Sequence, residues 1–140
     1  MTTLDPTLAP RVGIDIVDIP RFRRFVGHAD EAQLLRIFTE AECAYAHLRR
    51  DPVPRLAARF AAKEAVIKVL EEVDAFALDW REIEIESAEG HAPRLRLGGS
   101  MATLAEALKI RAVSISMSHC ASYAVGQALA THASSWPSQW

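Results

Sequence analysis

The chain has 140 residues, half of them apolar and 24% charged, with 16 Lys and Arg against 18 Asp and Glu. That is the length of one domain, enough to bury a core without a disulfide or structural metal. A net charge of −2 argues against a nucleic-acid partner, because general nucleic-acid binders carry a net basic surface, and the apolar content is far above that of a disordered chain.

In chain order, residues 1–9 read as a tail without the basic start and apolar run of a signal peptide. Val12-Gly-Ile-Asp-Ile-Val-Asp-Ile19 is rich in β-branched residues and reads as a strand closed by Pro20. Leu34 to Phe38 is a short apolar stretch of open type. Thr39 followed by Glu42 is a capping-box pattern that predicts a helix from Glu40 to about Arg50, broken by Asp51-Pro-Val-Pro54. Arg55 to about Glu72 lacks Gly and Pro and is the clearest helix of the chain. Ile83–Glu86 and Arg94–Leu97 read as a hairpin turning at Glu89-Gly90. A short helix capped by Ser100 runs to Lys109, and Val113–Ser118 and Tyr123–Leu129 form a second hairpin around His119 to Ser122. The domain is expected over residues 10–131, with 132–140 as a second tail. The order βααββαββ is α+β, with an antiparallel sheet packed on a long helix.

No run reaches the ~18 apolar residues of a membrane span. Cys43 and Cys120 lie far apart and outside any C-x-x-C spacing, so a cytoplasmic location without a membrane partner is expected. Charge is distributed unevenly. Arg11 to Arg24 holds four arginines, Arg49 to Lys68 holds six basic against two acidic residues, and Glu71 to Glu89 is mostly acidic. Such asymmetry suggests a local anionic ligand.

On the long helix, at about 100° per residue, Glu64 and Lys68 fall in the arc of Leu56, Ala57, Phe60, Ala61 and Ile67. Charged residues on such a face are normally paired or bound to something; the ordinary alternative is an i, i+4 surface pair. Asp15 is a carboxylate in mid-strand, unfavourable by propensity unless the strand lies at an edge with that face exposed. Separated carboxylates with Arg59, Lys63 and Lys68 nearby suit Mg²⁺ and phosphate chemistry, since Mg²⁺ takes one or two carboxylates with phosphate oxygens completing its shell. His119 sits at a turn where it would donate to a phosphate or simply be a turn residue. No Gly-x-x-x-x-Gly-Lys, Gly-x-Gly-x-x-Gly or His-x-x-x-His motif occurs, which removes the P-loop, Rossmann and zinc readings.

Phe60-Ala-Ala-Lys-Glu-Ala-Val-Ile-Lys68 resembles the F-x-x-K-E-A-x-x-K signature of the phosphopantetheinyl transferases. Gly13-Ile-Asp15-Ile-Val-Asp-Ile resembles their first strand, and Ser116-Met-Ser-His119 with Tyr123-Ala-Val resembles the small holo-acyl-carrier-protein synthase type. The resemblance runs from about Val12 to Leu129. It implies transfer of the phosphopantetheine arm of coenzyme A to a serine of an apo acyl carrier protein, serving fatty-acid or polyketide synthesis and releasing adenosine 3′,5′-bisphosphate. By the same resemblance, Asp15 and Glu64 would ligate Mg²⁺, Glu64 or a metal-associated water would take the serine proton, and Lys68 would stabilise the pyrophosphate. Arg59, Lys63 and His119, with Arg50 and Ser116 as further candidates, would contact the nucleotide phosphates. Arg21 and Arg24, with Arg23 between them, form a basic patch suited to an acidic carrier, and a homotrimer with shared active sites is implied. In the family a glycine-rich turn follows the second lysine; here the stretch is Val69-Leu-Glu-Glu-Val-Asp-Ala75. The alternatives are a non-catalytic carrier or coenzyme A binder of the same fold, and a phosphohydrolase using water as nucleophile.

Overall fold

The computed structural model describes residues 1–3, 9–70 and 78–132. Residues 71–77 of the acidic stretch after Lys68 lie outside that range, as do most residues of the two expected tails. β1 (Arg11–Asp18) ends where Asp18 caps α1 (Ile19–His28) by accepting from the Arg21 amide at 2.8 Å. Pro20 lies in the first turn of α1, where its missing N–H costs nothing. It therefore starts a helix as well as ending a strand, and α1 is an element the strand-and-proline pattern did not reveal.

α2 (Glu31–Leu34) is a single turn, and α3 (Glu40–Ala46) carries the expected capping box between Thr39 and Glu42. α3 stops at Ala46, short of Arg50, with a loop to Pro52. α4 (Val53–Leu70) follows, then a 3-10 turn (Trp80–Glu82), β2 (Ile83–Glu86), β3 (Arg94–Leu97), α5 (Gly99–Ala107), β4 (Ile110–His119) and β5 (Tyr123–His132). Ser100 is not the cap of α5. Gly98 holds that position without a side-chain bond, and the Ser100 hydroxyl donates to Glu82 at 2.6 Å. His132, expected in the tail, is the last residue of β5.

β1, β5 and β4 form an antiparallel sheet in that order, and β2 and β3 form a separate hairpin. One sheet face is covered by α4. The approach is close because Gly13 and Gly126 lie on that face: a Cβ at Gly13 would collide with the Ala65 carbonyl, and one at Gly126 with the backbone of Ala61 and Ala62. α4 in turn presents Ala61, Ala62 and Ala65, all fully buried. Core clusters lie to either side of this contact, one around Phe22, Phe38 and Leu56 and the other around Val66, Leu70, Ile83 and Ile85. α4 is enclosed on most sides, so that even Arg59 and Lys63 are buried. Its least buried strip is Phe60, Glu64, Ile67 and Lys68. The helical-wheel expectation that Glu64 and Lys68 point into the core is corrected: they lie at its rim.

The tightness of the helix–sheet contact gives a first prediction. Gly13→Ala should destabilise the fold by about 1–3 kcal/mol, the usual cost of overpacking a filled core. Urea denaturation followed by circular dichroism measures it, and an unchanged midpoint would contradict the close approach.

Candidate active site

Asp15 pairs across the sheet with Gly126, so its side chain shares the helix-facing side of β1 with Gly13 and Val17. β1 is an edge strand, but its carboxylate does not use the open face. Val12, Ile14 and Ile16 do, at 59%, 59% and 62% exposure. The carboxylate thus points toward α4 and the aliphatic side chains toward solvent, the reverse of an ordinary edge strand.

At the rim of α4, Lys68 Nζ lies 3.0 Å from Asp15 Oδ1 and donates to the Ile14 carbonyl at 2.7 Å. Glu64, one turn earlier, is half-buried. Burial first, and the Asp15 charge second, push its carboxyl above the ordinary value, with Lys68 opposing. Two carboxylates and one ammonium are therefore gathered where β1 meets α4. Among the described residues, no group of three or more His, Cys, Asp or Glu forms a metal cage. A carboxylate pair without a cage suits a hard cation that shares its shell with phosphate oxygens and water. The electrostatic repulsion between Asp15 and Glu64, presently offset by Lys68, is what a divalent cation would relieve.

The remaining expected residues divide. Lys63 does not face a ligand: it is fully buried, with Nζ 2.8 Å from Glu42 Oε2 and donating to the carbonyls of Ile37 at 2.7 Å and Trp80 at 3.0 Å. All three ammonium protons are engaged, so the phosphate role expected for Lys63 is withdrawn. Burial pushes its pKa down and Glu42 pushes back. Arg59 is also buried at 2% exposure, its guanidinium 4.6 Å from the centre of the Tyr45 ring and donating to the Arg55 carbonyl. Burial lowers its pKa against the pull of Glu42. Arg50 is exposed on the loop after α3. His119 ends β4 on the helix side of the sheet, in register with Ala124, whereas Ser116 is in register with Gln127 and Ile14 and so lies on the outer face. Strand β5 stands between both residues and Asp15.

From Asp15 a groove of about 540 Å³ runs along α1, lined by Val17, Phe22, Phe25, Phe60 and Tyr123, with Arg21 on its wall. Beyond it, Arg24 lines a smaller hollow with Phe25 and His28. Arg21 and Arg24 are exposed, but Arg23 turns away into a bidentate pair with Asp51 at 3.0 and 2.8 Å. Phe22 and Phe25 went unnoticed in the sequence, although they are spaced i, i+3. That spacing carries meaning only once α1 is known to be a helix.

A long helix laid on a three-stranded antiparallel sheet, with a carboxylate pair and a lysine at their junction, matches a known family. The chain belongs to the 4′-phosphopantetheinyl transferase superfamily, whose model matches residues 11–128. Within it, the chain falls among the enzymes of the holo-[acyl-carrier-protein] synthase type. It is 42% identical over 117 residues to the holo-[acyl-carrier-protein] synthase of Moorella thermoacetica, covering 84% of this chain and 90% of that one. The crystal structure of the Neisseria meningitidis holo-[acyl-carrier-protein] synthase aligns with TM-score 0.76 at 30% identity, covering 86% and 97% of the two chains. The ACPS–CoA complex of Chronobacterium ammoniagenes aligns with TM-score 0.78 at 28% identity, covering 89% and 98%.

The raised pKa of Glu64 sets a pH prediction for the metal-free protein. A carboxyl whose folded pKa exceeds its unfolded value contributes stability at low pH that is lost as pH rises through the folded pKa. Glu64→Gln should therefore raise the melting temperature at pH 7, and the gain should shrink as pH falls to the ordinary value of 4.5 and below. A gain that grows on acidification would contradict the assignment.

Proposed function

We propose that this enzyme transfers the phosphopantetheine arm of coenzyme A to a serine hydroxyl of an apo acyl carrier protein, with Mg²⁺ bound by Asp15 and Glu64. The observation that carries the reading is the meeting of Asp15, Glu64 and Lys68 at one end of an apolar groove flanked by Arg21. Mg²⁺ would supply neutralisation of pyrophosphate charge, without which an anionic substrate would be repelled by the two carboxylates. Lys68 is placed to leave Asp15 and follow the charge that builds on the departing phosphate. Glu64, or a metal-associated water, would take the serine proton as the hydroxyl oxygen bonds to the phosphorus bearing the pantetheine. The bond from that phosphorus to the bridging oxygen breaks, and adenosine 3′,5′-bisphosphate leaves. The remaining catalytic demand is in-line alignment, which the groove and α1 provide.

The carrier's acidic surface is met by Arg21 and Arg24, which set encounter rate and orientation. His119, Ser116 and Arg50 serve the nucleotide phosphates from a neighbouring protomer. This accounts for the separation of His119 and Ser116 from their own Asp15 by β5. A homotrimer built on the outer sheet face buries Val12, Ile14 and Ile16 together with Tyr123 and Leu129, which are exposed in the single chain. No helix among the described residues is long and apolar enough to cross a membrane. That, with two free thiols, supports work in the reducing cytoplasm.

The direct test incubates the protein with coenzyme A, Mg²⁺ and several apo carrier proteins and weighs the carriers by mass spectrometry. Each competent carrier should gain one phosphopantetheine, and the nearly isosteric Glu64→Gln variant should add none while keeping its fold. No gain on any carrier, or full activity of the variant, would overturn the reading. For the assembly, sedimentation of Ile14→Glu/Ile16→Glu should show monomers where the parent protein shows trimers; a monomeric parent at micromolar concentration would remove the shared-site proposal.

A further inference from the structure

One residue before Glu64, α4 carries the buried Lys63, and the bonds that hold it are spread over the chain. Its ammonium meets Glu42 of α3, the Ile37 carbonyl before α3, and the Trp80 carbonyl of the 3-10 turn. Glu42 is equally committed: Oε2 accepts from the Thr39 amide at 2.9 Å and Oε1 from the Ile85 amide of β2 at 2.9 Å. Four segments are thereby tied to one point on the helix, in a site where both side chains are at most 2% exposed.

The other large contact of α4 has a different character. At its closest approach to the sheet it offers Ala61, Ala62 and Ala65 to Gly13, Gly126 and Ala128, with Val69 beside Gly13 as the larger side chain. Small side chains allow this close approach but interlock less against rotation and sliding than large ones would. Sliding by one residue moves a helix about 1.5 Å and turns its side chains by about 100°. Either change would carry Glu64 and Lys68 away from Asp15.

We propose that Glu42 and Lys63 are positioning residues: their buried ion pair sets the rotation and register of α4 and so places Glu64 and Lys68 beside Asp15. The catalytic consequence rests on the transferase reading above, whereas the effect on the helix does not. A buried ion pair is a poor source of net stability, since an apolar pair of similar volume often serves as well, but it specifies geometry because only one arrangement satisfies every donor and acceptor. The adjacency of Lys63 and Glu64 makes this specification direct. No flexible segment lies between the anchored residue and the reactive one.

The test compares the full-length parent with Glu42→Gln/Lys63→Met and with Glu42→Asp. The double variant removes both charges, because Lys63→Met alone would strand a buried carboxylate. Glu42→Asp keeps both charges, draws the carboxylate back by one methylene, and provides a folded variant if the double one is unstable. Crystal structures of the folded variants should show α4 turned or shifted, with Lys68 Nζ beyond hydrogen-bond reach of Asp15. In kinetics, kcat should fall roughly tenfold or more, the scale of an ångström-sized misplacement. The Mg²⁺ concentration giving half-maximal rate should rise, while KM for the carrier, set on α1, should hold. A merely structural role would scale kcat with the folded fraction and leave the Mg²⁺ midpoint where it was. Folded variants that keep the Lys68–Asp15 contact and the parent's Mg²⁺ midpoint would overturn the proposal. A parent protein that transfers nothing would overturn the reaction but leave the crystallographic comparison decisive for the pair.

Discussion

The close contact between α4 and the β1–β5 face organises everything else. Where Gly13 and Gly126 remove side chains from the sheet, the helix backbone settles almost onto the strands, and the alanines of α4 complete the fit. A side chain at either glycine would hold the helix off. Lys68 would then not reach Asp15, and the groove beside α1 would lose its floor at Phe60. The junction of Asp15, Glu64 and Lys68 is a by-product of backbone proximity. It forms because the strand and the helix each bring a charged residue to the edge of an otherwise apolar seam.

The helix shows how environment, more than residue type, assigns roles to like side chains. Lys63 and Lys68 lie five residues apart on α4, yet one is sealed against Glu42 and two carbonyls, while the other is half-exposed on Asp15. Glu42 and Glu64 differ in the same way: the first satisfies backbone amides and an ammonium, and the second sits near another carboxylate with its pKa pushed up. A charge whose bonds are all satisfied within the fold fixes geometry. A charge held at a rim with a strained neighbour is available for a ligand.

The same distinction explains how much of the site was legible beforehand. Asp15 and Glu64 were recognisable because a carboxylate in a β-branched strand and another within a helical apolar arc both violate local preference. The structure brings both to one junction, although at the rim of the core and not within it. Lys63 was misassigned because the pattern K-E-A-x-x-K places three charges on one helix without saying what packs against each. α1 escaped notice because Pro20 marks both a strand end and a helix start, and with it went the significance of Phe22, Phe25 and the separation of Arg23 from Arg21 and Arg24.

Length and near-neutral charge by themselves gave the expectation of one domain and argued against a polyanionic partner. Periodicity determined the long helix, the two hairpins and the antiparallel α+β class, because those patterns depend on residues close in the chain. Only the tertiary structure decided which face of β1 meets the helix, which lysine is buried, and that aliphatic residues of β1 are left facing outward. Each of those outcomes depends on partners distant in sequence: Gly126 opposite Asp15, Glu42 against Lys63, Ala65 beneath Gly13. Local sequence carries the propensity of an element. Burial and electrostatic environment belong to the set of surfaces that close around it.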